Sequence, residues 1–181
     1  MATLTIRLPS QQSQTEFNLR RWAELLADSR LARIDERVET DRFGHIIMSP
    51  PPTADHGSFQ FRIGALLDQF MQTGRVLTEC PISTADGVKA ADVAWASPER
   101  LQELADSIAF PRAPEICVEV LSPRNTDAEM REKMALYFDA GAKEVWLCSE
   151  SGTMGFFHSI THQPAPKFKV CPQFPGHVKL R

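Results

Sequence analysis

Four residues have types and placements that could do chemistry together: Glu39, Asp92, Glu119 and Lys133. In the run PEICVEVL, Ile116, Val118 and Val120 alternate with Cys117, Glu119 and Leu121, so the two triplets point to opposite sides of a strand. Five of the six are apolar, as in a strand covered on both faces, and the exception is a carboxylate aimed into an interior. The helix that follows carries Lys133 inside its apolar stripe of Met130, Met134, Tyr137 and Phe138. Asp92 sits in KAADVAWAS on the small-residue side, away from Val93 and Trp95. Only a short helix and a loop separate the Asp92 and Glu119 strands, so the two can lie side by side. Neighbouring carboxylates repel unless a divalent cation, a proton or a basic group lies between them. Lys133 supplies part of that compensation. A hard cation such as Mg²⁺, held by Asp92 and Glu119, would supply the rest while it keeps several waters and binds a phosphate oxygen. Such a site hydrolyses phosphodiesters: the cation polarises the phosphate and acidifies a water, and the ammonium group stabilises developing charge.

Each residue alone also has an ordinary explanation. Strand carboxylates are commonly solvated or paired with a surface arginine, and a lysine in a helical stripe commonly extends its head to water. In ARIDERVET, Glu39 shares the polar side of a strand with Asp35 and Arg37, opposite Ile34 and Val38, which predicts a solvated side chain. His56 opens a helix after the break Ser49-Pro50-Pro51-Pro52; that is an ordinary surface position, although the same cleft is within reach. His45, His158, His162 and His177 share no ligand spacing and read as surface residues. No glycine-rich phosphate loop, G-x-S-x-G or Cys–His nucleophile pair occurs.

The elements that must position these groups follow from periodicity and punctuation. A polar arm over 1–14 precedes one domain over 15–181. Phe17, Trp22, Leu25 and Leu26 predict an amphipathic helix over 15–28, and two strands over 33–40 and 43–48 flank a turn at Gly44. A helix over 54–73 has the stripe Phe59, Ile63, Leu66, Leu67 and Phe70 and stops at Gly74. Strands over 75–83 and 88–96 flank the turn Ala85-Asp86-Gly87, and Ser97-Pro98 opens a short helix. After the central strand, Thr126 and Glu129 form a capping box and Gly141 ends the helix. Strands follow over 144–148 and 153–157, and the proline-broken tail adds edge strands over 168–170 and 178–180. The fold class is therefore α/β, a mixed sheet flanked by helices.

Composition narrows the class further. At 181 residues the chain can bury a good-sized core, and no run approaches the roughly eighteen apolar residues that span a bilayer. The start MATLTIRLPSQQSQ lacks the basic and apolar regions of a signal peptide, so a cytoplasmic location is expected. Cys80, Cys117, Cys148 and Cys171 form no C-x-x-C pair, and three fall in apolar runs that suit buried thiols better than zinc ligands. A net charge of −3 excludes a generally basic nucleic-acid binder; phosphate would have to be met by a local patch or a metal.

The arrangement RVETDRFGHIIMSPPP, then His56, then ADVAW, then VEVLSPRNTDAEMREKMALYFDAGAKEVWL resembles the Uma-type restriction endonucleases of the PD-(D/E)XK nuclease superfamily. The likeness runs from Phe17 to Phe157, with a fainter echo at Gln173-Phe174-Pro175-Gly176. It implies a restriction-endonuclease-like fold, Mg²⁺ or Mn²⁺ as cofactor, DNA as substrate and a homodimer. By resemblance Asp92 matches the aspartate of the PD element, Glu119 the second acid, and Glu39 the acid before the G-h-I hairpin. The superfamily lysine normally lies two places after the second acid, which here is Leu121; Lys133 matches a lysine this family carries on the next helix. Ala91 replaces the usual proline, which shapes backbone and touches no metal. Three functions remain open at this point. The first is a metal-dependent DNA endonuclease. The others are a nuclease-like fold serving as a binding or assembly module, and a hydrolase of RNA or another phosphoester.

Overall fold

The structure is a computed structural model and describes residues 11–31, 37–158 and 169–180. In chain order the elements are α1 (Gln11–Ala27), β1 (Arg37–Thr40), β2 (Ile46–Ser49), α2 (Ala54–Phe70), β3 (Arg75–Thr84), β4 (Gly87–Ala96), α3 (Pro98–Leu104), β5 (Ile116–Val120), α4 (Asp127–Asp139), β6 (Glu144–Cys148) and β7 (Met154–Phe157). Five strands form one mixed sheet in the order β3-β4-β5-β6-β7, in which only β5 and β6 run parallel. That single parallel pair needs a crossover, and α4 supplies it. β1 and β2 form a separate antiparallel hairpin.

Apolar layers cover both faces of the sheet. On one, Phe59, Ile63 and Leu67 of α2 pack on Val93, Trp95, Val118 and Trp146, closed by Phe174 and Val178 of the tail. On the other, Met134 and Tyr137 of α4 pack on Ala91, Ala94, Cys117 and Val145. The alternation in β5 thus sends Val118 to α2 and Cys117 to α4, as its sequence requires. Thr126 and Glu129 form the capping box: Glu129 N donates to Thr126 Oγ1 at 3.2 Å, and Thr126 N donates to Glu129 Oε2 at 2.8 Å. Gly87 has φ +80°, and a Cβ there would overlap Thr40 O and Asp41 O. Only glycine lets β1 cross this closely over the start of β4.

Several expectations change. α1 begins at Gln11, inside the stretch read as an arm, and its Leu26 is exposed while Trp22 and Leu25 are buried. Ile34 and Asp35 lie outside the described residues, as do His162 and Phe168. β2 starts at Ile46 because the turn extends through His45, whose amide donates to Asp41 Oδ1 at 2.8 Å. The tail residues Val178 to Leu180 form no strand; His177 makes one isolated bridge to Thr153. Lys169 and Val170 bend instead, because both amides donate to buried Glu144 Oε1 at 2.7 and 2.9 Å. The same oxygen lies 3.4 Å from His158 Nδ1, so His158 is half-buried rather than a surface residue. Among the described residues no helix is long and apolar enough to cross a membrane.

Candidate active site

The sheet comes apart where the two acids stand. Backbone pairing of β4 with β5 runs Trp95 to Ile116, Ala94 to Cys117 and Val93 to Val118, then stops. The next opposed pair would be Asp92 and Glu119. Instead, Val120 N donates to Asp92 Oδ2 at 2.6 Å, so a carboxylate takes the amide that a strand would otherwise engage. The β3–β4 ladder is also broken here: Thr78 pairs Val93 and Cys80 pairs Ala91, but Glu79, at φ +48°, is skipped. Gln60 Nε2 fills that gap by donating to Asp92 O and to Glu79 Oε1, both at 2.8 Å. A left-handed glutamate in a strand is strained, and strain of this kind gathers at functional sites.

The parted strands open onto a cleft of 1120 Å³. All four residues singled out in the sequence line it. Lys133, nearly two turns into α4, places Nζ 3.0 Å from Glu119 Oε2 and 3.0 Å from Glu39 Oε1, and donates to Ala90 O. Glu119 Oε1 accepts from Tyr137 Oη at 2.7 Å. Glu39 is not solvated: its Oε1 also accepts from Ala90 N at 3.0 Å, because β1 lays its polar side across β4 instead of toward water. Leu121, at the superfamily's usual lysine position, is partly buried. The ammonium reaches Glu119 from the helix instead.

Sequence does not assign Arg37 and Tyr137 to the site, and it reads His56 as an ordinary surface position with the cleft within reach. Arg37 Nη1 donates to Asp92 Oδ1 at 2.6 Å, and its Nε lies 3.2 Å from Glu79 Oε2. His56 Nε2 lies 3.4 Å from the same Asp92 oxygen, so His56 faces the cleft. Tyr137 read as a stripe residue, yet a buried phenol needs a partner. Arg37 carried a legible signal, since it shares a strand face with Glu39. Glu79 had none, because nothing local marks its backbone angle.

Electrostatics set these groups apart. Burial pushes Glu119 up to about 7, against the pull of Lys133 and with the push of Asp92. Asp92 is equally deep, but the hydrogen bond from His56 and the charge of Arg37 outweigh burial and hold it below the usual carboxylate range. Burial opposes the charges on Lys133 and Arg37, and the surrounding carboxylates raise both above their ordinary values. His56 is raised chiefly by its hydrogen bond to Asp92. Glu39, Glu79, Asp92, Glu119 and Glu129 line the cleft against Arg37, Arg124 and Lys133, so its charge is acidic. Of the other cations that could have made a basic rim, Lys89 is buried on Asp86 and Thr40 O, while Arg75 and Arg131 are exposed and do not line the cleft.

Among the described residues no three His, Cys, Asp or Glu side chains converge as a ready metal cage. Mg²⁺ does not require one, since it binds through one or two carboxylates and keeps waters. The hard oxygens of Asp92 and Glu119 and the surplus negative charge fit such an ion, provided Arg37 gives way on Asp92.

A mixed sheet parted at two acids, with a lysine delivered from the crossover helix, defines a fold class of nuclease type. A crystal structure described as a putative nuclease belonging to DUF820, from Anabaena variabilis, is similar with a TM-score of 0.58 and 19% identity, over 67% of this chain and 71% of that one. The chain belongs to the Uma2 family, whose model is described as "Putative restriction endonuclease" and matches residues 22–167. No curated protein matches.

Proposed function

We propose that this chain is a divalent-cation-dependent endonuclease that hydrolyses phosphodiester bonds in DNA. The observation that carries this reading is the parted ladder: it turns Asp92 and Glu119 into one acidic cleft and brings Lys133 within 3.0 Å of Glu119. An acidic cleft repels a phosphodiester on its own, so the substrate enters only with a counter-charge. Mg²⁺ or Mn²⁺ on Asp92 and Glu119 would supply that charge, polarise the phosphate and acidify a water. Lys133 holds its ammonium beside the same point and stabilises charge developing on the phosphate. Glu39 keeps Lys133 in place and accepts a hydrogen bond from the attacking water. Tyr137 fixes the rotamer of Glu119 by donating to Oε1, and His56 does the same for Asp92. One such centre cuts one strand, so two copies are the expected assembly for cutting both, which sedimentation equilibrium tests.

Calorimetric titration of Mg²⁺ and Mn²⁺ into the wild type, Asp92→Ala and Glu119→Ala tests the cation site, and nicking of supercoiled plasmid tests the reaction. Uptake should vanish in both variants, and nicking should fall by about 10²-fold or more in each and in Lys133→Met. Unchanged metal-dependent nicking by Asp92→Ala would remove the assignment.

A second reading has its own support. Every oxygen of Asp92 and Glu119 already has an internal partner, Arg37, Val120 N, Tyr137 or Lys133. A charge cluster that satisfies itself suits a nuclease-like fold acting as a binding or assembly module. Absence of cation uptake by the wild type, with or without a short duplex, would favour it. Cleavage of an RNA strand in preference to DNA would instead point to the third reading, an RNA or phosphoester hydrolase.

A further inference from the structure

Arg37 stands where the cation must go. Its Nη1 is 2.6 Å from Asp92 Oδ1, in the gap that the parted strands leave beside Glu119. A guanidinium and a divalent cation cannot share one carboxylate oxygen, because their charges repel at contact distance. The arginine is also poorly seated. Its Nε and Nη2 are both shut off from solvent with no hydrogen-bond partner. These two nitrogens form the side fork of the guanidinium, the edge that ordinarily takes both oxygens of a carboxylate. Glu79 Oε2 is only 3.2 Å from Nε, yet off the line that a hydrogen bond needs. Glu79 is held in a left-handed conformation at the gap in the β3–β4 ladder, facing Asp92, with a half-exposed side chain steadied by Gln60. A short swing of the guanidinium toward the cleft mouth would let its free fork close on both Glu79 oxygens and leave Asp92 open.

We propose that Arg37 is a resident counter-ion that a divalent cation displaces from Asp92, with Glu79 as its second seat, so that this pair sets how tightly the cleft takes its cation. The inference rests on the cation-dependent reading above. Arg37 is a positioning residue in this scheme: it acts on the cation through Asp92. Glu79 lines the same cleft and acts chiefly through Arg37, its own charge adding a smaller pull on the cation. The two alternative seats make uptake a competition, and removing the competitor should strengthen binding even though it removes a favourable ion pair from the folded chain.

The test is calorimetric titration of Mn²⁺ alone into the full chain at fixed pH and ionic strength. Wild type, Arg37→Met, Glu79→Gln and the double variant are compared, with thermal melts confirming folding. Arg37→Met should bind Mn²⁺ at least about tenfold more tightly than wild type, and Glu79→Gln several-fold more weakly. The double variant should lie close to Arg37→Met, with the Glu79→Gln loss much smaller than in the wild-type background, since most of the Glu79 effect requires the arginine. An equal loss in both backgrounds overturns the proposal. Equal or weaker binding by Arg37→Met overturns the proposal while leaving the cation site standing. If Arg37→Met does not fold, Glu79→Gln decides alone, and unchanged or tighter binding by it overturns the proposal. Failure of the wild type to take up Mn²⁺ at any concentration overturns both this inference and the reading on which it rests.

Discussion

Glu119 is the residue whose chemistry most depends on its surroundings. A carboxyl pushed by burial to about 7 is largely protonated in mildly acidic solution, and only its ionised form holds a cation. Mn²⁺ uptake should therefore rise as pH increases through about 7, which titrations from pH 5.5 to 8.5 would show as a sigmoid. The sign for stability is opposite. The folded state binds this proton more tightly than the unfolded chain, so Glu119 favours folding below the ordinary carboxylate range and loses that advantage as pH rises toward about 7. Urea melts of Glu119→Gln should show a flatter pH dependence over that window. Tyr137→Phe removes the donor on Oε1, one of the contacts that lower Glu119. The midpoint of Mn²⁺ uptake should move to higher pH in that variant, with a stability loss of about 1.5–3 kcal/mol for a hydrogen bond to a charged group.

At the scale of elements, two local devices hold the site together. The Thr126 cap starts the helix that carries Lys133, and Thr126→Ala should cost about 1 kcal/mol in chemical denaturation, with catalysis changed far less. Gly87 admits the hairpin that brings Arg37 and Glu39 over β4, and Gly87→Ala should cost more than about 1 kcal/mol and weaken Mn²⁺ uptake as well. The contrast separates an element that is capped from one that is pressed against another. It also explains what could be read from sequence. The cap, the stripe on α4, the turn at Gly87 and the alternation in β5 are written in neighbouring residues, and each appears where its pattern places it, whereas α2 stops at Phe70, short of the Thr73 end expected before Gly74. Glu39 is different. Its alternation with Val38 is correct, but which side of β1 meets the sheet is decided by β4, roughly fifty positions away in the chain. Local pattern gives a face its polarity, and only packing says whether that face meets water.

For the molecule as a whole, the sheet is a closed core on both faces with one deliberate opening. Glu119 was legible because a carboxylate in a doubly covered strand contradicts its setting; Arg37 and His56 left only weak signals, a strand face shared with Glu39 and a helix start within reach of the cleft, and Glu79 left none. Those three arrive from β1, α2 and β3, so the site exists only when all three elements are assembled around β4 and β5. The four cysteines offer a way to watch that assembly. All are free, buried and pushed above the usual thiol range, chiefly by burial. They are divided between the two faces: Cys80 and Cys117 lie in the layer under α4, and Cys148 and Cys171 in the layer under α2 and the tail. A thiol that is neither ionised nor accessible is inert toward alkylating reagents until its layer opens. The chain therefore carries two pairs of built-in reporters. Pulsed alkylation followed by peptide mass analysis should label each pair as a unit, and the pair that labels first under mild denaturant identifies the layer that loosens first. Labelling of Cys80 and Cys117 ahead of the others would mean that the helix holding Lys133 lets go before the rest of the core, so that catalytic competence is lost well short of global unfolding.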